Sequence, residues 1–549
     1  MARGPKVLVI GLDGGTLDLL GPWMREGLLP NLSTFQQEGV VERLRSTIPP
    51  VTAPAWASFQ TGMNPGKHGL FDFIRYLPGS YNTTLVNSYD VGAPTLWRIL
   101  SEDGKRVAVI NTPLTYPPRP VNGLLVSGML TPGTHRKFTY PPELAQELME
   151  EIGEWPGFTP VRSFDYLGAK RFVDCLLGVL QKRTEAALYL LERARWDFFM
   201  VHFQCVDILQ HALWAYIDPS HPAFSDKGEE ERAYVQGFYR SLDRSIGLLL
   251  EKAAEDTLVI LMSDHGFGPV TKRIYINQYL AQEGFLSRKT GLTLAKLWNS
   301  AEPFLRRLDF LQLRRRLIPP FTKRDRWVNQ MRRDPLIDWA ATRAFALSGS
   351  VCTGIYFNCV GREPEWVVKS VSEYEGLREE ISESLYALTD PEEGERIIAE
   401  VYPKEKIYHG PFLEHLPDLV VKPADRYIFS EALGRHPLVE ASPSMLTGSH
   451  RLNGLIMLKG PQIRRQEKVE GAEIIDLAPT ILYALGVAIP EDMDGRVLEE
   501  AFHPSYLKAH PTCHAPKRSS GPLEREEEAY SDEEIERMQE HLRGLGYLD

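Results

Sequence analysis

The stretch KVLVIGLDGG, Lys6 to Gly15, is a β-branched apolar run that stops at an acid and two glycines. A short apolar run with no polar alternation reads as a strand buried on both faces, and the Asp-Gly-Gly that follows reads as a turn at its carboxyl end. Similar runs recur at Arg106–Asn111, Phe198–Phe203, Thr257–Ser263, Asp418–Lys422 and Leu455–Lys459. Longer stretches with helical spacing lie between them, such as Arg171–Arg195 and Tyr234–Glu251. Strands alternating with helices predict an α/β three-layer sandwich, a mostly parallel central sheet with helices on both faces.

Composition narrows the class. The 549 residues carry 62 basic and 73 acidic side chains, a net charge of −11, which argues against global nucleic-acid binding. No sequence-specific nucleic-acid contact is expected. Five scattered cysteines without a CxxC pair read as reduced thiols. The opening MARGPKVLVIGLDGG has too short an apolar run for a signal peptide, and no stretch of about 18 apolar residues follows. The expectation is a cytoplasmic protein with at most a peripheral membrane contact.

The chain is expected to divide into a first part of an α/β core at 1–271, a helical basic insertion at 272–340, a second part of the core at 341–500, and a linker with a docking helix at 501–549. Residues 301–334 hold ten basic and four acidic side chains. That segment reads as a solvated helical insertion, a lid attracting an anionic substrate, or a surface for acidic lipid or nucleic acid. Near the other end, Ser531 and Glu534 fit a capping box, and Ile535, Met538, Leu542 and Leu545 share one helix face. This helix is expected to dock without carrying chemistry.

Acids and histidines recur just beyond the strands, where ligands of open α/β sheets bind. Asp13 follows the first run, Asp207 and His211 follow DFFMVHFQCV, Asp264 and His265 follow TLVILMS, and His450 precedes GLIMLKG in TGSHRLN. Each one alone reads equally well as a helix cap or surface pair. Three strand ends offering the same ligand types point instead to divalent ions, and three Asp with three His are too many for one tetrahedral site. Two cations are implied, zinc or manganese by the donor set. Such a site needs a nucleophile, and STIPPVTAPAWASFQTGMNPGKHG (46–69) offers Thr52 at the start of a helix predicted from about Ala53 to Thr61. The hydroxyl reads as a helix cap or as the attacking group.

Together these strings resemble the alkaline phosphatase superfamily, in its type I phosphodiesterase/nucleotide pyrophosphatase branch, and are similar to a prokaryotic group of phosphohydrolases or phosphomutases. The resemblance runs from Lys6 to about Leu498, through IGLDGG, PPVTAPAWASFQTG, NPGKHG, the Asp207–His211 pair, SDHGFG, TGSH and IIDLAPTILYALGVAIPEDMDGRVL. It implies an alkaline-phosphatase-like fold. It also implies one metal held by Asp13, Thr52, Asp264 and His265, and a second held by Asp207, His211 and His450. Zinc is the usual metal of the family, with manganese or iron as substitutes. Thr52 would attack phosphorus on a small phosphorylated substrate and form a covalent threonine intermediate.

The departures matter. Many nucleotide pyrophosphatases follow this threonine with Phe-Pro-Asn; here Ala53, Pro54 and Ala55 follow, so a side-chain amide beside Thr52 is absent. Trp56 stands where sulfatases carry an arginine, which argues against sulfate esters. The spacing in GLDGG is not the GxGxxG of a dinucleotide fold. Ala53, Trp56 and Lys272 are the candidate substrate contacts. His68 reads as a turn residue and His202 as a satisfied buried histidine. With apolar residues and no arginine near Thr52, a phosphodiesterase or nucleotide pyrophosphatase is favoured. The alternatives are a phosphomonoesterase or phosphomutase of the same superfamily, and a non-catalytic metal- or phosphate-binding protein.

Overall fold

The structure, a computed structural model, describes residues 5–77, 79–156, 164–225, 228–289, 336–347, 351–434, 436–443, 446–518, 529–544 and 547. Its largest sheet has eight strands: β1 (Lys6–Leu12), β2 (Val40–Arg45), β3 (Val107–Ile110), β4 (Gly123–Val126), β5 (Thr139–Tyr140), β6 (Phe198–Phe203), β7 (Thr257–Met262) and β8 (Asn453–Lys459). Their spatial order is β2-β8-β7-β1-β6-β3-β4-β5. The five strands from β7 to β4 run parallel, and the sheet is finished at either side by antiparallel pairings.

Strand β1 is covered on both sides, as its unbroken apolar run requires. Leu8, Ile10 and Leu12 enter a core shared with the helices α2 (Phe164–Arg193), α3 (Cys205–Ile217) and α4 (Glu229–Lys252). Val7 and Val9 face the opposite layer, packed with α1 (Thr52–Thr61) and α5 (Leu477–Ala484) through Trp56, Phe59, Leu477 and Ile481. Gly11 is needed on this second face: a Cβ there would lie 2.7 Å from the tip of the Trp56 ring.

A second unit has its own core. Strands Ala344–Leu347, Thr353–Phe357, Leu419–Pro423 and Ile398–Pro403 form an antiparallel sheet in that spatial order, covered by the helix Val371–Ala387 through Leu377, Ile381 and Leu385. Lys272–Tyr275 lies between Tyr427–Ser430 and Val439–Ala441 in a small neighbouring sheet. Two expectations are thereby corrected. The run at Asp418–Lys422 belongs to this antiparallel sheet, and the run at Leu455–Lys459 is the antiparallel strand β8. Apolar runs report burial on both faces, which these strands share with parallel ones, and carry no signal of direction. After this unit the chain rejoins the main sheet at β8. The basic cluster of 301–334 lies outside the described residues.

The helix near the other end is present as α6 (Asp532–Gly544). Glu534 N–H donates to Ser531 Oγ at 3.3 Å and Ser531 N–H donates to Glu534 Oε2 at 2.8 Å, the reciprocal pair expected of a capping box. Met538 and Leu542 are buried in the same core as β1, with Ile535 packed against it; Leu545 lies outside the described residues.

Because Ile10 is fully buried at the centre of this sheet, Ile10→Ala is expected to lower stability by about 2–5 kcal/mol. Urea denaturation should show a lower midpoint with an unchanged slope. A loss below about 1 kcal/mol would contradict the two-sided burial of β1.

Candidate metal centre

Three adjacent strands end level with one another. Leu12 on β1 pairs with Phe203 on β6, and Gly11 pairs with Met262 on β7, so the chain leaves all three at one end of the sheet. Asp13 follows β1 directly, α3 starts two residues after β6, and Asp264 and His265 follow β7. Gly14 turns the chain with φ of +67°, and a Cβ there would fall 2.9 Å from the Phe267 ring and 3.3 Å from Asp207 Oδ1. Its N–H donates to Asp264 Oδ1 at 3.1 Å. Gly14 of GLDGG therefore serves this turn.

The remaining groups arrive by separate routes. Asp207 and His211 lie one helical turn apart on α3, with His211 Nε2 3.4 Å from Asp207 Oδ2. His450 is delivered by a two-stranded ribbon in which Gly448–Arg451 pairs antiparallel with Gly266–Pro269, setting His450 opposite Phe267. Thr52 is the first residue of α1, fully buried, its Oγ1 3.3 Å from His265 Nε2 and 3.5 Å from Asp13 Oδ1. All seven residues, Asp13, Thr52, Asp207, His211, Asp264, His265 and His450, come together in one buried cluster.

The histidines share one orientation. Nδ1 of His211 meets the Gly448 carbonyl at 2.9 Å, that of His450 meets the Pro50 carbonyl at 3.0 Å, and that of His265 meets the Gly266 carbonyl at 3.1 Å. A carbonyl only accepts, so each Nδ1 carries a proton, and the neutral rings of His211 and His450 turn their Nε2 lone pairs inward. His211 Nε2 and His450 Nε2 then face each other across 3.1 Å as two lone pairs. Asp207 Oδ1 and Asp264 Oδ2 are buried with no hydrogen bond. Facing lone pairs and bare carboxylate oxygens are repulsive unless a cation lies among them, so the donor set fits divalent ions. Two trios have ligand atoms within 4.8 Å of one another: Asp13, Asp264 and His265, and Asp207, His265 and His450.

The electrostatics carry the same mark. Burial raises Asp13, but hydrogen bonds from His202 and His265 outweigh it and hold this carboxyl well below the usual range. Burial, then the charge of Asp13, pushes Asp264 well up. His265 is opposed by burial yet lifted to about 9 by Asp264 and Asp13. Burial and the neighbouring His265 push His450 down to about 4, and burial also lowers His211. Asp264 and His265 are thus both shifted toward their protonated forms, where a cation would otherwise compensate the charge.

Of the proposed substrate contacts, Ala53 is fully buried beside Thr52. The Trp56 ring is wedged beneath Gly11 and edge-on to His202 at 4.7 Å, behind the cluster and within the core. Lys272 stands in the second unit with its Nζ 2.7 Å from Asp390 Oδ2 and 3.0 Å from Glu393 Oε1. Neither of these two side chains faces the cluster. His68 ends the short helix Pro65–His68 with Nε2 3.0 Å from Ser58 Oγ, and Lys67 donates to the Asp492 carbonyl at 2.7 Å.

Three neighbours carry no signal in the sequence. His202 is satisfied at both nitrogens, and one partner is Asp13 Oδ2 at 3.0 Å; the other is the Asn111 carbonyl. Arg183, fully buried on α2, is pushed down to about 10 by burial and feels the charge of Asp13. Tyr547 is buried and donates its phenol O–H to Asp207 Oδ2.

Comparison with known proteins follows from this geometry. The family model for type I phosphodiesterase / nucleotide pyrophosphatase matches residues 7–439. Ectonucleotide pyrophosphatase/phosphodiesterase family member 1 from Homo sapiens is 25% identical over 284 residues, covering 50% of this chain and 25% of that protein. The Mus musculus protein of the same name is 25% identical over 293 residues, covering 51% and 26%. The chain spans about a quarter of the length of these curated relatives. Phosphonoacetate hydrolase from Sinorhizobium meliloti 1021, solved with phosphonoformate, shares the fold with a TM-score of 0.55 at 16% identity, over 88% of this chain and 95% of that one.

Cation binding must displace the proton that His265 retains near pH 7. Titration with Zn²⁺ near pH 7 is therefore expected to release protons, and affinity should rise with pH until His265 is neutral, near 9. Calorimetry in two buffers of different ionisation enthalpy measures this. Heats independent of the buffer would contradict it.

Proposed function

The chain belongs to the type I phosphodiesterase / nucleotide pyrophosphatase family, a family of phosphoric ester hydrolases, and on that footing we propose that it cleaves a phosphodiester or pyrophosphate through a covalent intermediate on Thr52. The observation that carries this reading is the Thr52 hydroxyl, held 3.3 Å from His265 Nε2 and 3.5 Å from Asp13 Oδ1 at the start of a buried helix. A hydroxyl serving only as a cap would have no reason to lie between an aspartate and a histidine.

The residues divide the work. Asp13, Thr52, Asp264 and His265 would hold one divalent cation, and Asp207, His211 and His450 a second, with His265 near both. Cations so held would supply positive charge for the attacking and departing oxygens of an in-line displacement. Thr52 Oγ forms the bond to phosphorus as the bond to the leaving oxygen breaks, and Asp13 Oδ1, 3.5 Å away, is the acceptor nearest its proton. Water then cleaves the phosphothreonine and restores the hydroxyl. His202 keeps Asp13 ionised and oriented through its Nε2 contact. The carbonyls of Gly448, Pro50 and Gly266 fix the three ligand rings.

The preference for a diester rests on charge. Among the described residues, no lysine or arginine forms an ion pair with Asp13, Asp207 or Asp264; their ion-pair partners are histidines. A monoester dianion needs additional cationic groups on its free oxygens, whereas a diester carries one charge fewer. The five cysteines are unpaired, and no described helix is long and apolar enough to cross a membrane. We read the setting as the reducing cytoplasm.

Thr52→Ala is expected to lower kcat/KM on an aryl phosphodiester by about three orders of magnitude or more, while two equivalents of Zn²⁺ still bind. Chelation should silence the wild type, and Zn²⁺ or Mn²⁺ should restore it. A variant within about tenfold of the wild type would remove Thr52 as the nucleophile.

A further inference from the structure

Tyr547 lies far from every motif of the site in sequence, yet its ring is almost wholly buried against it. The ring meets His211 edge-on at 5.4 Å and 83°, His450 at 5.8 Å and 64°, and Phe73 at 5.0 Å. Its phenol donates to Asp207 Oδ2. The other oxygen of the same carboxylate, Oδ1, has no hydrogen bond and lies 3.2 Å from His450 Nε2. The two oxygens of Asp207 are thus differentiated: one is held by a donor, and the other is left bare toward the trio of Asp207, His265 and His450.

The approach of this ring is set by a rigid mount. Glu534 accepts from Arg136 Nε at 2.7 Å and Nη2 at 2.8 Å, and lies 3.1 Å from His135 Nε2. Arg537 Nη2 donates to the Pro132 carbonyl at 2.9 Å. Ahead of α6, Tyr530 stacks on Tyr116 with ring centroids 5.6 Å apart and donates to the Val86 carbonyl at 3.3 Å. Met538 and Leu542 anchor the inner face of the helix in the core. Tyr547 N–H bonds back to the Leu542 carbonyl at 2.9 Å, fixing the residue against the end of the helix. A phenylalanine would fill the same apolar space, so packing alone does not call for the hydroxyl. A buried phenol donating to a carboxylate is a charge-assisted bond, stronger than a neutral one, and it restricts the rotation of that carboxylate.

We propose that Tyr547 is a positioning residue for the second cation site: its phenol pins Asp207 through Oδ2 so that Oδ1 is presented to the cation, and its ring shields His211 and His450 from water. This inference rests on the two-cation reading given above and extends it to a residue outside the motif set. The helix α6 is then the support of a ligand, and its docking is part of building the site.

The test compares the full-length wild type with Tyr547→Phe, which keeps the ring and removes only the hydroxyl. Zn²⁺ binding is measured by competition with a chromophoric chelator, and turnover of an aryl phosphodiester at limiting and saturating Zn²⁺. In the variant, one equivalent should bind as in the wild type and the other about tenfold more weakly. Turnover should fall at limiting Zn²⁺ and recover at saturation, with KM little changed. Both equivalents binding as tightly as in the wild type would overturn the inference. So would equal weakening of both, the mark of a general loosening of the fold. A variant more active than the wild type at every Zn²⁺ concentration would also overturn it, showing the phenol to be an obstruction. A wild type that binds fewer than two equivalents overturns the two-cation reading and this inference with it. Failure confined to the comparison with the variant overturns this inference alone.

Discussion

Three carboxylates buried within a few ångströms of one another are the constraint on which the rest of the structure depends. Burial disfavours every charged form, and each carboxylate disfavours ionisation of the next. Some compensation must be present. Histidines at hydrogen-bonding distance supply part of it for Asp13, and in the cation-free protein Asp264 and His265 are both shifted toward their protonated forms. A pair of divalent ions would satisfy the same charges without those protons. The site is therefore built to favour cations through its own electrostatic imbalance, and the covering elements exclude the water that would otherwise screen it.

The fold meets this constraint by bringing strand ends together. Parallel pairing of β6, β1 and β7 aligns three carboxyl ends, so acids that immediately follow the strands converge without long loops. His450 needs a further device, since β8 runs antiparallel; the short ribbon with Gly266–Pro269 turns it inward just before β8 begins. The second antiparallel unit keeps a hydrophobic core of its own, with Lys272 committed to the acids of that unit.

How much of this was legible in the sequence depends on the range of the interaction. Strand runs ending in Asp or Asp-His are local signals, and they marked β1, β6 and β7 along with the residues that now surround Thr52. The same apolar signal at Asp418–Lys422 and Leu455–Lys459 located strands but not their direction, because an antiparallel strand covered on both faces has the same composition. For Trp56, proximity to Thr52 in sequence does not tell which way a helical side chain points. Its ring points into the core beneath Gly11. His202, Arg183 and Tyr547 act on the site only through tertiary contact. His202 was correctly read as buried and satisfied, but nothing local could identify Asp13 as its partner. For Tyr547 the capping box and apolar face of α6 foretold docking, while the target of the phenol is 340 positions away in the chain.

The central claim is that these buried groups gather around a pair of cations. Anomalous X-ray diffraction from crystals grown with Zn²⁺, recorded on both sides of the zinc absorption edge, addresses it directly. The account predicts two peaks about 3.5–4 Å apart, one among Asp13, Thr52, Asp264 and His265 and one among Asp207, His211 and His450. A map with no peak in the cluster, or with zinc bound only at surface histidines, would contradict it.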